Sequence, residues 1–215
     1  MRGFRIAKAA AFVLAALPAV VLVVDGLRGN LTADPIEEIT HRTGWWALTL
    51  LMVTLAVTPL RRLTGWNQLV QLRRMLGLYA FFYAALHLLT YVVLDLFFAF
   101  DILLEDVMER PYITVGFAAF LMLLALAVTS TKGSIRRLGR RWRQLHRLVY
   151  VAALLGVVHF YWQVKADTRE PLVYAGVLLV LLAARVRWGA RPSAGVTPAS
   201  RSHSAGTGSS DRTAS

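Results

Sequence analysis

Apolar residues in this chain are gathered in long, nearly uninterrupted blocks and do not alternate with polar ones. Six blocks can be drawn, at about residues 9–24, 45–60, 75–96, 112–129, 146–163 and 171–188. Each is close to the roughly 20 residues that an α-helix needs to cross the hydrocarbon core of a bilayer. Because an open strand edge cannot face lipid, we interpret all six as helices. The pattern predicts an all-α protein, a bundle of six transmembrane helices.

The first block has two interpretations. It follows Arg2, Arg5 and Lys8, and a positively charged start before an apolar run is also typical of a cleaved signal peptide. Here the apolar run continues to Val24, and no small-residue cleavage pattern precedes or follows Asp25. This favours an uncleaved anchor as the first span.

The overall composition agrees with a membrane protein that ends in a polar tail. Hydrophobic residues make up 57% of the 215 residues, whereas soluble domains contain about 45–50% apolar residues. The end of the chain, from Pro192, is rich in Ser, Gly and Ala and has no apolar periodicity. We therefore predict one six-span domain over residues 1–190 and a disordered cytoplasmic tail over residues 191–215.

The basic residues predict the orientation of the bundle. The net charge is +12, which in a soluble protein would indicate nucleic acid as a partner. Here the basic residues flank the apolar blocks, so the partner is membrane lipid. If the N-terminus is cytoplasmic, nineteen of the 24 Lys and Arg residues lie on the cytoplasmic side. The positive-inside rule therefore favours cytoplasmic N- and C-termini in a bacterial plasma membrane.

Several kinds of chemistry are excluded by what the sequence lacks. There is no cysteine, which excludes thiolate metal sites, iron–sulfur clusters and covalently attached haem. There is no glycine-rich dinucleotide motif, no carboxylate cluster and no nucleophile–base pair. We therefore predict that the chain does not take a hydride by itself, and we find no catalytic site for a final substrate.

Two histidines lie inside predicted spans, where an imidazole is costly and indicates function. His87 lies thirteen residues beyond Arg74, and His159 twelve beyond Arg147. At about 1.5 Å per residue both lie roughly 18–20 Å from the cytoplasmic ends of the third and fifth helices. Equal depth on separate helices is what two axial ligands of one haem iron require. The alternative is a pair of hydrogen-bonded core histidines.

Two further histidines lie near the ends of predicted spans. His146 is close to the cytoplasmic surface, either as an interfacial residue or as a ligand of a second, inner cofactor. On one straight helix its imidazole would point about 140° away from that of His159, so a bulge or a bend would help both to face one seam. His41 lies on the outer side beside Arg42, with a surface, partner or cofactor role.

Several short motifs lie in and beside the predicted spans. They are GWWAL at 44–48, TPLRR at 58–62, LRRMLGL at 72–78 before His87, RPY at 110–112, TS at 129–130, and WRQLHRLVY at 142–150 before His159. Taken together, these motifs resemble the MsrQ family, the haem-binding membrane subunits of the bacterial protein-methionine-sulfoxide reductase system. That family belongs to a wider ferric-reductase-like and NADPH-oxidase-like transmembrane group.

The resemblance implies a b-type haem, with His87, His146 and His159 matching the family's ligand histidines. It also implies an FMN, for which no residue pattern is found here. The implied partners are a periplasmic molybdopterin-containing methionine sulfoxide reductase as electron acceptor and a cytoplasmic flavin reductase or quinol as donor. Larger relatives carry two ligand histidines on the third span. This chain has one, so we expect one haem, or two with an unidentified sixth ligand at His146.

Three functions follow from these residues. The first is an electron conduit from a cytoplasmic donor, through haem, to a periplasmic reductase. The second is a self-contained membrane reductase acting on ferric chelates or quinone. The third is a transporter that uses the buried histidines as a proton relay. Histidines at matched depth on parallel helices favour haem over the proton relay.

Overall fold

A computed structural model of the protein describes residues 2–164 and 167–189, and all the regular structure in these residues is helical. The helices are α1 (Arg2–Arg28), α2 (Pro35–Thr64), α3 (Val70–Leu89), α4 (Phe100–Glu109), α5 (Pro111–Val128), α6 (Lys132–Leu138), α7 (Arg140–Leu145), α8 (Leu148–Gln163) and α9 (Arg169–Gly189). A 3-10 turn at Asn67–Leu69 precedes α3, and a π-helical segment, Thr90–Asp95, continues it.

Five segments of the described residues are long and apolar enough to cross a membrane. They are Gly3–Arg28, Pro35–Thr64, Asn67–Asp95, Pro111–Val128 and Arg140–Gln163. The predicted all-α, multi-pass membrane protein is therefore confirmed. The predicted sixth block coincides with α9, a helix of 21 residues that is not among these five. Its crossing and the position of the termini stay predictions, and the predicted tail at 191–215 lies outside the described residues.

Helix α2 shows how local sequence sets the bounds of a span. The side chain of Asp34 accepts a hydrogen bond from the Glu37 N–H at 3.0 Å, and Pro35 occupies the first helical position. Both features are favourable at a helix start, where N–H groups have no intrahelical partner. The helix ends at Gly65, whose φ of 70° is a left-handed conformation that glycine adopts readily. The helix therefore begins ten residues before its apolar block.

The helices pack antiparallel around a core centred on α2 and α3. We call the end of the bundle where α2 and α5 begin and α8 ends the outer face, and the opposite end the inner face. Helix α9 begins at the outer face, since Tyr174 bonds to Thr49 of α2 at 2.6 Å and Arg185 reaches Leu55 further along the same helix. The closest helix pairs are α2 with α3 and α5 with α8. These two pairs position the candidate site.

Prolines interrupt α1 and α2, and side chains of other helices satisfy backbone groups beside each proline. In α1 the phenol of Tyr83 donates to the Ala15 carbonyl at 2.8 Å and accepts from the Ala19 N–H at 3.0 Å, next to Pro18. A side chain inserted in this way into the helical ladder produces a bend. It also ties α1 to α3 one turn before His87.

The second interruption is in α2. Pro59 has no N–H, so the Leu55 carbonyl four residues earlier loses its intrahelical partner. Arg185 of α9 donates to this carbonyl at 3.2 Å and also to the hydroxyl of Tyr150. The guanidinium therefore joins α2, α8 and α9 in the inner half of the bundle.

Candidate cofactor site

The structure brings His87 of α3 and His159 of α8 together. Their ring centroids are 6.1 Å apart, and the ring planes make an angle of 79°. Both side chains are partly buried. The pairing that matched depth predicts is therefore present in the geometry.

Each imidazole is oriented by a backbone carbonyl of a neighbouring helix. The Nδ1 atom of His87 lies 2.9 Å from the Thr40 carbonyl oxygen of α2, and that of His159 lies 2.7 Å from the Tyr112 carbonyl oxygen of α5. A carbonyl oxygen can only accept, so Nδ1 carries the proton and donates. The Nε2 atom of each ring keeps its lone pair. This is the arrangement that metal-binding histidines adopt.

A glycine next to each carbonyl makes this contact possible. Gly44 and Gly116 lie four residues after Thr40 and Tyr112 on the same helices. A Cβ atom points toward the helix N-terminus, over the carbonyl four residues back. At position 116 it would lie 2.6 Å from His159 Nδ1, and at position 44 it would lie 3.0 Å from His87 Nδ1. At position 116 only glycine leaves the imidazole room, and at position 44 a Cβ would require the imidazole to shift.

The two histidines are held by the same local arrangement, used twice. In both cases the carbonyl lies 47 residues before the histidine, and the glycine lies four residues after the carbonyl. Thr40 with Gly44 on α2 serves His87, and Tyr112 with Gly116 on α5 serves His159. The pairs α2/α3 and α5/α8 therefore present equivalent ligands toward each other.

The two rings line a cavity of about 830 Å³ that opens at the outer face. Its inner end is apolar, with Leu51, Leu123 and Ala152, and its outer end is polar. Cofactor pockets usually enclose about 300–1,000 Å³. Gly156 also lines the cavity, and a Cβ there would lie 3.3 Å from Leu48.

The donor set fits a haem better than a bare metal ion. Metal–imidazole bonds of about 2.0–2.1 Å to both Nε2 atoms would place the ring centroids about 6 Å apart, close to the separation seen. Among the described residues, no group of three or more His, Asp or Glu side chains is placed to hold a metal. Two protein ligands are enough for an iron that brings its own equatorial ligands, as in haem.

His146 lies apart from the paired histidines. It occupies the junction where α7 ends and α8 begins, so the helix is interrupted at this position. Its Nδ1 lies 3.1 Å from the Trp142 carbonyl oxygen and its Nε2 lies 3.4 Å from the Ser130 hydroxyl. Its ring stacks on Trp142, with centroids 3.9 Å apart. It does not line the cavity.

His41 lies at the outer mouth of the cavity. Its Nε2 is 3.3 Å from the Gln163 side-chain nitrogen and 3.9 Å from the Glu37 carboxylate. The imidazole lines the cavity but is largely exposed. The structure therefore places it at the surface, as one of its predicted alternatives.

One buried carboxylate behind the cavity wall was not singled out as functional from the sequence. Asp106 of α4 is 6% exposed, accepts a hydrogen bond from the Tyr91 phenol and forms an ion pair with Arg110 at 2.9 Å. Both Tyr91 and Arg110 line the cavity. The sequence indicates Asp106 only through its two partners. Tyr91 lies one turn after His87, and Arg110 begins the RPY motif.

Comparison with known proteins agrees with this architecture. The family model described as "Ferric reductase like transmembrane component" matches residues 43–157, more than half of the chain. A protein of Xanthomonas axonopodis pv. citri (strain 306) is 59% identical over 156 residues, covering 73% of this chain and 72% of the relative. One of Herminiimonas arsenicoxydans is 51% identical over 184 residues, covering 84% of each. Both are named "Protein-methionine-sulfoxide reductase heme-binding subunit MsrQ". The chain therefore belongs to the ferric reductase-like transmembrane family and, within it, to the MsrQ family.

Proposed function

We propose that this protein is a haem-binding membrane subunit that relays electrons across the plasma membrane to a periplasmic reductase of methionine sulfoxide in proteins. The observation that supports this most directly is the pair of imidazoles with carbonyl-bound Nδ1 atoms and free Nε2 atoms across one cavity. The relatives' name adds the haem and the reductase system. The electron donor would be a cytoplasmic flavin reductase or quinol, and the acceptor a molybdopterin-containing partner.

The orientation in the membrane follows from charge. Short inner loops and the inner ends of the helices carry most Lys and Arg residues, so the inner face is proposed to be cytoplasmic and the outer face periplasmic. In this arrangement α9 is the sixth span, and residues 1–190 form one domain in the bacterial inner membrane. The cavity would then open toward the periplasm, on the side of the proposed acceptor.

The residues of the site have separate roles in this proposal. His87 and His159 would hold the haem iron, while the carbonyl groups of Thr40 and Tyr112 fix the orientation of the rings. A b-type haem, bound without a covalent link, would supply a reversible one-electron change. Held by two imidazoles, it would be suited to electron transfer and not to oxygen binding.

His146 is proposed to serve the inner half of the path. It precedes His159 by thirteen residues, a rise of roughly 20 Å along a helix, so the outer pair alone leaves most of the membrane uncrossed. A second redox group at His146, stacked beside Trp142, would shorten that distance. An inner haem and the FMN implied by the family are the two candidates.

A second candidate function is a self-contained reductase of ferric chelates or quinone. It is favoured by the opening of the cavity at the outer face, which gives a small acceptor direct access. A neighbouring reading frame for a molybdopterin protein would favour the relay over this alternative. Loss of methionine sulfoxide repair, but not of ferric reduction, in a deletion strain would do so as well.

Absorption spectra of the purified protein, oxidised and dithionite-reduced, test the proposal. We expect the sharp reduced bands of a low-spin b haem, with haem quantified per chain. His87→Ala and His159→Ala should lose this signal, whereas His146→Ala and the control His41→Ala should keep it. A ratio of about two haems per chain would indicate that His146 is also a haem ligand. A folded protein without haem, from haem-sufficient cells, would contradict the proposal and favour a proton-relay transporter.

A further inference from the structure

We propose that Arg110 binds the carboxylate groups of the haem at the outer mouth of the cavity, and that Asp106 is the positioning residue that holds Arg110 there. This inference rests on the haem of the proposed function. It concerns a different contact, because the axial histidines hold the iron and Arg110 would hold the edge of the macrocycle.

The polarity of the cavity sets the direction in which a haem can enter. Leucine and alanine side chains line the inner end, whereas charged side chains line the outer end. A carboxylate buried among apolar groups without a partner is very costly. The propionate edge of the macrocycle must therefore face the outer mouth, and the apolar edge must face Leu51 and Leu123.

In the part of this mouth that the structure describes, attraction for a carboxylate comes from one fixed positive charge. Among the described lining residues, Arg110 is the one lysine or arginine, and the histidines are His41 at the mouth and the paired His87 and His159. The remaining charged lining residues are acidic: Asp34, Glu37, Asp95 and Asp167. They repel a carboxylate from the rest of the rim, so Arg110 is the place where it can be paired.

The guanidinium of Arg110 is oriented so that part of it remains available. Its Nε donates to Asp106 Oδ1 at 2.9 Å. A guanidinium presents five N–H donors in a rigid fork, so the contact of Nε with Asp106 and the hydrogen bond with Tyr112 still leave Nη donors for another carboxylate. Hydrogen bonding to Tyr112 and the charge of Asp106 hold the pKa of Arg110 above its ordinary value. The side chain therefore stays cationic at any working pH.

Asp106 is itself held in place. It is buried, and its second carboxylate oxygen accepts the hydrogen bond from the Tyr91 phenol. Tyr91 lies one turn beyond His87, on the π-helical segment Thr90–Asp95. The chain of contacts from Tyr91 through Asp106 to Arg110 thus links the cation at the mouth to the helix that carries one axial ligand.

The test compares haem with its dimethyl ester, which has no carboxylate groups. The rate of haem loss to an apomyoglobin acceptor is measured in detergent for the wild type and for Arg110→Gln, after loading with either compound. Losing one charge-assisted pair should speed loss of native haem about tenfold. With the dimethyl ester, the wild type and the variant should release their haem at the same rate.

Three further variants separate binding from folding. Arg110→Lys should recover part of the retention of native haem, because it keeps the charge without the fork. Asp106→Asn should speed loss of native haem but not of the ester. Arg28→Gln removes the same charge from the end of α1 and should have no effect on either compound.

The outcomes distinguish this inference from the function that it rests on. Equal haem loss from Arg110→Gln and the wild type with native haem would overturn the inference. So would an acceleration that is the same for native haem and ester, since that would indicate a purely structural role. In both cases the low-spin spectrum from His87 and His159 would remain. Absence of that spectrum in the wild type would instead reject the proposed function.

Discussion

The orientation of the paired imidazoles depends on backbone carbonyl groups and on two glycines that have no Cβ atom. Thr40 and Tyr112 contribute their carbonyl oxygens, so their side chains are not what the histidines recognise. Gly44 and Gly116 contribute empty space. At the scale of single residues, the site is therefore sensitive to changes that add atoms at the glycines.

Alanine substitution should weaken haem binding at both glycines, and more at Gly116 than at Gly44. Gly116→Ala places a Cβ 2.6 Å from His159 Nδ1, and Gly44→Ala places one 3.0 Å from His87 Nδ1. The first contact is one that real side chains do not make, so His159 must move and lose its carbonyl bond. Disturbing such an outer-shell partner commonly lowers metal affinity roughly 10–100-fold. Haem per chain and the reduced spectrum measure the effect.

Gly176→Ala is the matched control for both variants. This glycine lies within α9, and a Cβ there would meet nothing within 4 Å. It should keep full haem content and gain slightly in helix stability. Equal haem content in Gly116→Ala, Gly44→Ala and Gly176→Ala would show that the close approach of the glycines to the histidines is unimportant.

At the scale of helices, the bundle uses polar side chains to repair the backbone where prolines interrupt it. Tyr83 does so beside Pro18, and Arg185 does so for the carbonyl freed by Pro59. Each unsatisfied backbone group inside a membrane costs on the order of several kcal/mol. This cost is also the reason that only helices and closed barrels span membranes. Tyr83 is 1% exposed, so water cannot replace its hydroxyl.

Tyr83→Phe should lower the stability of the bundle. The change removes one buried hydroxyl that both donates and accepts, and it leaves the Ala15 carbonyl and the Ala19 N–H without it. An unpaired buried group costs about 1–3 kcal/mol. Thermal unfolding in detergent measures the effect. Tyr79→Phe, one turn earlier on α3, is the control and should change little.

Pro18→Ala gives a second check on the same explanation. Without the proline, α1 can close its own hydrogen bond between Ala19 and Ala15, so the hydroxyl is no longer needed. Pro18→Ala should therefore recover much of the stability lost in Tyr83→Phe. If the effects of Pro18→Ala and Tyr83→Phe on stability simply add, the hydroxyl does not act by repairing the interrupted helix.

The sequence predicted the helices more completely than the site. Long apolar blocks require helices whatever their neighbours are, so their positions could be read locally. The proximity of His87 and His159 could also be expected, because counting residues from the cytoplasmic end of each helix gives both the same depth. The carbonyl contacts of Thr40 and Tyr112 could not, because a backbone acceptor leaves no residue type to recognise. The burial of Asp106 was hidden as well, since its partner Tyr91 comes from the segment that continues α3.

At the scale of the whole molecule, the direction of the proposed electron transfer depends on which end of the bundle faces which compartment. Antiparallel packing places the mouth of the cavity at the end where α2 and α5 begin, and the break at His146 at the opposite end. The two ends differ in charge, because basic residues gather beside the inner ends of the helices. A proton or electron path has a biological direction only when these ends are assigned to compartments.

Reporter fusions assign the compartments and decide whether α9 spans the membrane. Alkaline phosphatase, which is active only in the periplasm, is fused after residue 130 in the inner loop that follows α5, after residue 167 before α9, or at residue 215. The positive-inside rule predicts activity only for the fusion after residue 167, with residue 130 and the C-terminus cytoplasmic. Activity at both 167 and 215 would leave α9 on the periplasmic side and reduce the bundle to the five segments already recognised as long and apolar enough. Activity at 130 and 215 but not at 167 would invert the six-span bundle, turn the cavity toward the cytoplasm, and make its mouth the entry site for electrons instead of the exit.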